Sequence, residues 1–135
     1  MKKVLTIACS DSTCGAGIQA DLKNFQEYGV FGFSSRTLIV TMDPAVGWSH
    51  EVTELSTTLL EKQLISVFAG GPVDALKTGM MGNEKNIILA SEWIQKMKVT
   101  NVVIDPVIAC KGTAQILQPK SVEGIKNHLL PHGLI

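Results

Sequence analysis

Apolar and polar positions along the chain switch between two periods. Val4–Cys9 (VLTIAC) is apolar almost throughout, the pattern of a strand buried on both faces. From Gly15 to Tyr28 the period lengthens. Ile18, Leu22 and Phe25 fall at i, i+4 and i+7 on one helical face, and Gly29 supplies the stop. Phe33–Thr41 (FSSRTLIVT) grows rich in β-branched residues toward its end and predicts a second strand. Asp43–His50 (DPAVGWSH), broken by Pro44 and Gly47, predicts a loop. Ser56 or Thr57 caps a helix that runs to Phe68 with Leu60, Leu64 and Val67 as its stripe, and Gly70-Gly71-Pro72 ends it. Asp74–Gly82 (DALKTGMMG) reads as a short strand followed by a glycine-flanked turn. Asn83 then caps a helix with Ile87, Ala90, Ile94 and Met97 as its apolar positions. Val102–Ile104 is a buried strand closed by Asp105-Pro106. Pro119–Leu130 is a last helix, with proline near its start, where a missing N–H costs little.

Strand and helix thus alternate four times. This predicts an α/β fold, a single domain over residues 1–135 with a mainly parallel sheet flanked by helices. The alternation calls for another strand after Leu130, with Leu134 and Ile135 as its first residues, so the pattern predicts a fold cut short at this point.

Composition narrows the partners more than the fold. The 135 residues are 45% hydrophobic, enough for a sizeable core. Twelve basic residues balance twelve acidic ones, and no long basic run occurs, which argues against nucleic acid and anionic membrane as partners. No segment approaches the roughly 18 apolar residues of a membrane span. The apolar run in MKKVLTIACSD is shorter than a signal peptide requires. Three cysteines, Cys9, Cys14 and Cys110, favour a reducing cytoplasm over a disulfide scaffold.

Candidate chemistry collects at the carboxyl ends of the four expected strands, where parallel sheets bind ligands. These ends are Ser10-Asp11, Thr41-Met42-Asp43, Thr78-Gly79-Met80 and Asp105-Pro106-Val107. Asp11 is placed either to accept a hydrogen bond from a ligand or to cap the turn that follows it. Gly15 and Gly17 allow close backbone approach at a helix start, which suits an anion. They equally fit a tight turn, and CGAGIQA lacks both the third glycine of G-x-G-x-x-G and a G-K-[ST] ending. Asp105 can hold Mg²⁺ beside phosphate or simply end its strand at Pro106. Lys111 can meet phosphate or water. Cys14 and Cys110 read best as inert thiols, and Cys9, Cys14 and His50 do not have zinc spacing. Arg36, inside a strand pattern, marks an edge or an interface.

Together these blocks carry a resemblance. SDSTCGAGIQADLKNFQEYGVFG resembles the opening of the pyridoxal kinase and hydroxymethylpyrimidine (phosphate) kinase group of the ribokinase-like superfamily. IVTMD, KTGMMG, VVIDPVIACKG and HLLP match further blocks in order, so the likeness spans essentially the whole chain. It implies a ribokinase-like fold and transfer of the ATP γ-phosphoryl group, with Mg²⁺, to a hydroxymethyl group on a small-molecule pyridine or pyrimidine.

Residue by residue, the resemblance gives Asp11 the ring substituents and gives Gly15, Ala16 and Gly17 the pocket wall. Met80 and Val107 line the pocket, Cys110 lies in the loop beside it, Asp105 helps hold Mg²⁺, and Lys111 approaches the phosphates. Met42 stands where hydroxymethylpyrimidine kinases carry a glutamine that reads the aminopyrimidine. That favours pyridoxal-type substrates. Cys14 replaces a usual glycine, Thr13 a common serine, and Arg36 an apolar or small residue. The family's glycine-rich anion hole, catalytic group and most of its nucleotide site belong to a C-terminal half beyond these 135 residues. The isolated chain is therefore expected to bind a ring and turn over negligibly. A homodimer is the expected assembly.

Overall fold

The computed structural model describes residues 1–109 and 119–135. The elements in chain order are β1 (Lys3–Asp11), α1 (Gly17–Glu27), β2 (Phe31–Asp43), β3 (Ser49–Glu54), α2 (Thr57–Ala69), β4 (Ala75–Thr78), α3 (Glu84–Lys96), β5 (Val102–Ile104) and α4 (Pro119–Gly124). The five described strands form one sheet in the order β3-β2-β1-β4-β5. Pairings β1–β2, β1–β4 and β4–β5 are parallel, and β2–β3 is antiparallel. The sheet is therefore mixed.

The strand order fixes where the helices lie. From β1 the chain moves one way across the sheet to β2, then the other way to β4 and β5. Right-handed crossovers send helices from those two directions to opposite faces. The α2/α3 face holds the main core. Leu5, Ile7, Leu76, Val102 and Ile104 from the strands meet Leu60, Leu64 and Phe68 of α2 and Ile87, Ala90 and Ile94 of α3. Each of these Leu, Ile, Val and Phe side chains, fully buried, stabilises by about 1.5–3 kcal/mol. The Phe68 and Trp93 rings stack at 5.4 Å across α2 and α3. The opposite face carries α1, with Ile18 buried beneath it.

Local signals set the boundaries. The Ser56 hydroxyl accepts from Leu59 N–H at 3.1 Å, and Asn83 Oδ1 accepts from Asn86 N–H at 2.9 Å, so both expected caps form. Two elements differ from expectation. The segment expected to be an Asp43–His50 loop is a 3-10 turn at Pro44–Val46, a tight turn at Gly47-Trp48, and the start of β3. Gly47 and Trp48 both have left-handed φ, 60° and 61°, the twist a hairpin return needs. β3 is exposed at nearly every position, so it shows no apolar alternation for a sequence reading to detect. The last helix does not run regularly to Leu130. α4 passes into a π-helical turn at Ile125–Leu129 and a 3-10 turn at Leu130–His132. Beyond it, Leu134 N–H donates to Val102 O at 2.7 Å and Ile104 N–H to Ile135 O at 3.0 Å, so these two residues pair with β5 as the pattern suggested.

Arg36 lies where β2 extends past the reach of β3. The side-chain amide of Gln63 replaces the missing strand. It accepts from Arg36 N–H at 2.8 Å and donates to Arg36 O at 2.9 Å. The exposed arginine thus marks an edge, covered from α2.

Candidate functional site

β1 and β4 are neighbours whose following helices leave to opposite faces of the sheet, which opens a crevice at their carboxyl ends. A cleft of about 210 Å³ lies there. Ala8, Cys9 and Asp11 come to it from β1, Ala16 and Gly17 from the turn into α1, and Val40 and Met42 from β2. His50 comes from β3, Lys77 from β4, Gly79 and Met80 from just after it, and Asp105, Val107 and Ala109 from beyond β5. Leu38, Val40 and Met80 pack as a small apolar cluster with Cys9 and Val107 against them, and all of these but Leu38 line the cleft.

Asp11 organises the loop. Only 5% exposed, its carboxylate accepts from Thr13 N–H and Thr13 Oγ1 at Oδ1, both at 2.8 Å, and from Ala16 N–H at Oδ2, at 3.0 Å. Burial pushes the carboxyl pKa up. The hydrogen bonds from Thr13 and Ala16 and the charge of nearby His50 outweigh this, and the net shift is downward. A carboxylate has about four acceptor sites. Three are committed, which leaves one on Oδ2, and Asp11 is among the residues that line the cleft. Of the two sequence readings of Asp11, its hydrogen bonds to Thr13 and Ala16 show the turn cap. Gln19 fixes the other side of the loop. Its Oε1 accepts from Asp11 N–H at 3.0 Å, and its Nε2 donates to Ser10 Oγ at 2.7 Å.

The glycines divide. Gly17 has φ +62°, and a Cβ there would run into the Cys9 carbonyl oxygen and sit 3.1 Å from Cys9 Sγ. It lets the start of α1 lie against β1 and lines the cleft. Gly15 is not among the lining residues, and a Cβ on it would make an ordinary 3.9 Å contact with Asp11 Oδ2. Cys14 has φ +62°, which accounts for a glycine being usual at that position in the family it resembles.

The remaining walls are held from behind. Thr37 Oγ1 donates to Met80 O at 2.7 Å, and Asn86 Nδ2 to Met81 O at 2.8 Å. Gly79 leaves room for Ala8 and for Lys77 Nζ, which a Cβ would approach to 2.9 and 3.2 Å. Lys77 Nζ bonds both Asp21 oxygens, at 3.0 and 3.2 Å, while Thr6 Oγ1 donates to Asp21 Oδ2 at 2.6 Å. Asp105 stands exposed at the far lip. Its N–H continues the ladder to Thr78 O at 3.0 Å, and Val107 N–H closes a tight turn on its carbonyl at 2.8 Å. Among the described residues no three His, Cys, Asp or Glu side chains are grouped to hold a metal ion.

The structure thus brings together Asp11, Ala16, Gly17, Met42, Met80, Asp105 and Val107 of the expected site. Cys110 and Lys111 lie outside the described residues. Sequence reasoning missed His50 and Lys77. His50 lay in the supposed loop. Lys77 carried a signal, a lone charge within a short apolar strand.

Comparison with known proteins places this geometry. The family model described as phosphomethylpyrimidine kinase matches residues 11–135. The chain is 47% identical over 131 residues to the pyridoxine kinase of Bacillus subtilis, covering 97% of this chain and 48% of that protein. It is 43% identical over 131 residues to the hydroxymethylpyrimidine/phosphomethylpyrimidine kinase of the same organism, with the same two coverages. The structure of the pyridoxal kinase from Staphylococcus aureus in complex with AMP-PCP and pyridoxal superposes with a TM-score of 0.88 at 44% identity, over 98% of this chain and 46% of that one. The chain therefore spans about half the length of the relatives it matches, and its fold is the ribokinase-like α/β fold of those kinases.

Proposed function

From the membership of this chain in the phosphomethylpyrimidine kinase family, which matches it over residues 11–135, we propose that it forms the ring-binding half-site of an ATP- and Mg²⁺-dependent kinase that phosphorylates the hydroxymethyl group of pyridoxal or pyridoxine. The observation that carries this reading is the convergence of all four parallel-strand ends on one apolar cleft with few polar groups, the form of a small-molecule site. Val40, Met42, Met80 and Val107 offer apolar surface to a flat heteroaromatic ring, and the open acceptor on Asp11 Oδ2 fixes its orientation. Met42, where hydroxymethylpyrimidine kinases carry glutamine, favours the pyridine. A pyrimidine substrate is the second reading, favoured by the 43% identity to the hydroxymethylpyrimidine/phosphomethylpyrimidine kinase.

Phosphoryl transfer depends mainly on positioning and on stabilising charge at the transferred group. This half supplies the positioning. Asp105, an exposed carboxylate at the cleft lip, fits Mg²⁺, which takes one or two protein carboxylates and completes its shell with phosphate and water. The ion supplies charge neutralisation at the phosphates when bound. The single α/β domain is proposed to work in the cytoplasm and as a homodimer. Val46 and Trp48, exposed at the β2–β3 tip, offer apolar surface for such pairing. Among the described residues no helix is long and apolar enough to cross a membrane.

Calorimetry with pyridoxine and hydroxymethylpyrimidine, beside a coupled ATP-consumption assay, tests the reading. Binding of pyridoxine with negligible turnover is expected. Binding of neither ring overturns the proposal, and clear turnover by the pure chain overturns its half-site part.

A further inference from the structure

The register between β1 and β2 breaks beside the cleft. From Ala8↔Arg36 to Ser10↔Ile39, β1 advances two residues while β2 advances three. The extra residue falls at Thr37-Leu38, and both side chains are buried. A bulge of this kind re-aims side chains, and here both serve one neighbour. Leu38 shares an apolar cluster with Met80, and the Thr37 hydroxyl donates to the Met80 carbonyl at 2.7 Å. β1 lies between β2 and β4, so this hydrogen bond ties β2 to the turn after a strand with which β2 does not pair. The turn, residues 79–82, faces two ways. Met80 belongs to the cluster at the cleft and Met81 to the main core, where Asn86 Nδ2 donates to the Met81 carbonyl at 2.8 Å. Met80 lines the cleft and Thr37 does not. On the reading of this cleft as the vitamin-ring site, we propose that Thr37 is a positioning residue for ring binding, which acts by holding the main chain of Met80.

The donor stands on pinned backbone, because the Thr37 carbonyl accepts from Leu55 N–H at 3.1 Å. The acceptor belongs to a buried residue, where a carbonyl without a partner is costly. Without the hydroxyl, the peptide after Met80 regains a partner by turning toward water in the cleft. That rotation carries the thioether away from Leu38 and Val40. A methionine side chain adapts to many shapes, so its packing alone does not fix this wall, and the main chain must. A ring that binds has to restore the turn and leave the carbonyl unpaired again, so the loss is read as affinity. Ser35 provides the contrast. It lies two residues earlier on β2, fully buried, and its hydroxyl has no hydrogen-bond partner among the described residues. A buried hydroxyl on this strand is therefore not in itself a link to the cleft. The Thr37 hydroxyl is one because its acceptor is the main chain of a cleft residue.

The test is calorimetry of the 135-residue chain and its Thr37→Val, Thr37→Ser and Ser35→Ala variants with pyridoxine, or with hydroxymethylpyrimidine if that is the ring the unaltered chain binds. Valine keeps the shape and removes the donor, and serine restores the donor. Leaving one carbonyl unpaired in the bound state predicts about tenfold weaker binding for Thr37→Val. Thr37→Ser and Ser35→Ala should stay within about twofold of the unaltered chain. Methyl NMR of the five methionines, with the Met80 signal identified by Met80→Leu, gives a second readout. The Met80 resonance should move in Thr37→Val and hold its place in the other two. Unchanged affinity in Thr37→Val, an equal loss in Thr37→Ser or Ser35→Ala, or an unmoved Met80 resonance overturns the assignment and leaves the vitamin-site reading intact. Failure of the unaltered chain to bind either ring overturns both. If circular dichroism shows Thr37→Val unfolded, Thr37→Ala against Thr37→Ser, which differ by the hydroxyl alone, decides by the same comparison.

Discussion

Gly17 is the position where one methyl group should do most damage. Its φ of +62° lies in the left-handed region, and an added Cβ would meet the Cys9 carbonyl oxygen, a backbone atom held within β1. The left-handed conformation costs an alanine about 1–2 kcal/mol. Lower entropy of the unfolded chain returns about 0.4–1 kcal/mol. Gly47 isolates these two effects, because its φ is +60° and nothing lies within 4 Å of a Cβ there. Gly47→Ala should therefore cost only about 1 kcal/mol. At Gly17 the collision is added. Overpacking against fixed structure costs about 1–3 kcal/mol, so Gly17→Ala should cost about 2–4 kcal/mol in total, a large share of the 5–15 kcal/mol typical of a domain. With urea slopes of about 1–3 kcal/mol per molar, the midpoint should fall by about 1–2 M for Gly17→Ala and by less than half of that for Gly47→Ala. Pyridoxine binding should weaken for Gly17→Ala alone, since only Gly17 lines the cleft. Equal midpoints for the two variants would refute the close approach of α1 to β1 on which the site is built.

Thr78 Oγ1 is fully buried and has no hydrogen-bond partner, so the near-isosteric Thr78→Val should raise stability by about 1 kcal/mol, read as a higher melting temperature. The folded Asp11 carboxyl titrates below its ordinary 3.8, so the unfolded chain binds more protons at acid pH. Its contribution is fully present above about pH 4 and is lost as pH falls through the folded value. Asp11→Asn should flatten this part of an acid-unfolding curve. At neutral pH it should cost about 1–3 kcal/mol, because an amide N–H₂ turned to Ala16 N–H leaves that donor unpaired. Asn86 is buried and links Met81 O to the Thr57 hydroxyl at 2.8 Å each, tying α3, α2 and the turn that carries Met80. Asn86→Ala should cost about 2–4 kcal/mol in urea unfolding and weaken pyridoxine binding.

How much could be read in advance depended on whether the signal was local. Ser56 and Asn83 were legible as caps, because a side-chain oxygen meets a backbone N–H three residues on within the same turn. Ile87, Ala90 and Ile94 were legible as core, because helical spacing leaves them one face to bury. β3 was not legible. Its residues SHEVTE are mostly exposed, and what holds them is backbone pairing to β2 from Leu38↔Glu54 to Asp43↔Ser49. A strand stabilised by its neighbour's main chain leaves little trace in its own side chains. His50 was lost with it, since a loop residue gives no reason to be set opposite Met42.

Sequence alone determined the alternation of strand and helix, the four polar strand ends and, through the blocks from Ser10 to Pro131, the kinase group they resemble. These follow from periodicity and from residue types that constrain their own backbone. Tertiary structure decided which ends share a cleft, that Asp11 bonds its own loop while lining that cleft, and that Gly17 rather than Gly15 is required for close approach. It also brought His50 and Lys77 to the cleft. Each of these depends on atoms far apart in sequence being brought within a few ångströms, and sheet order and crossover hand, not local propensity, bring them there.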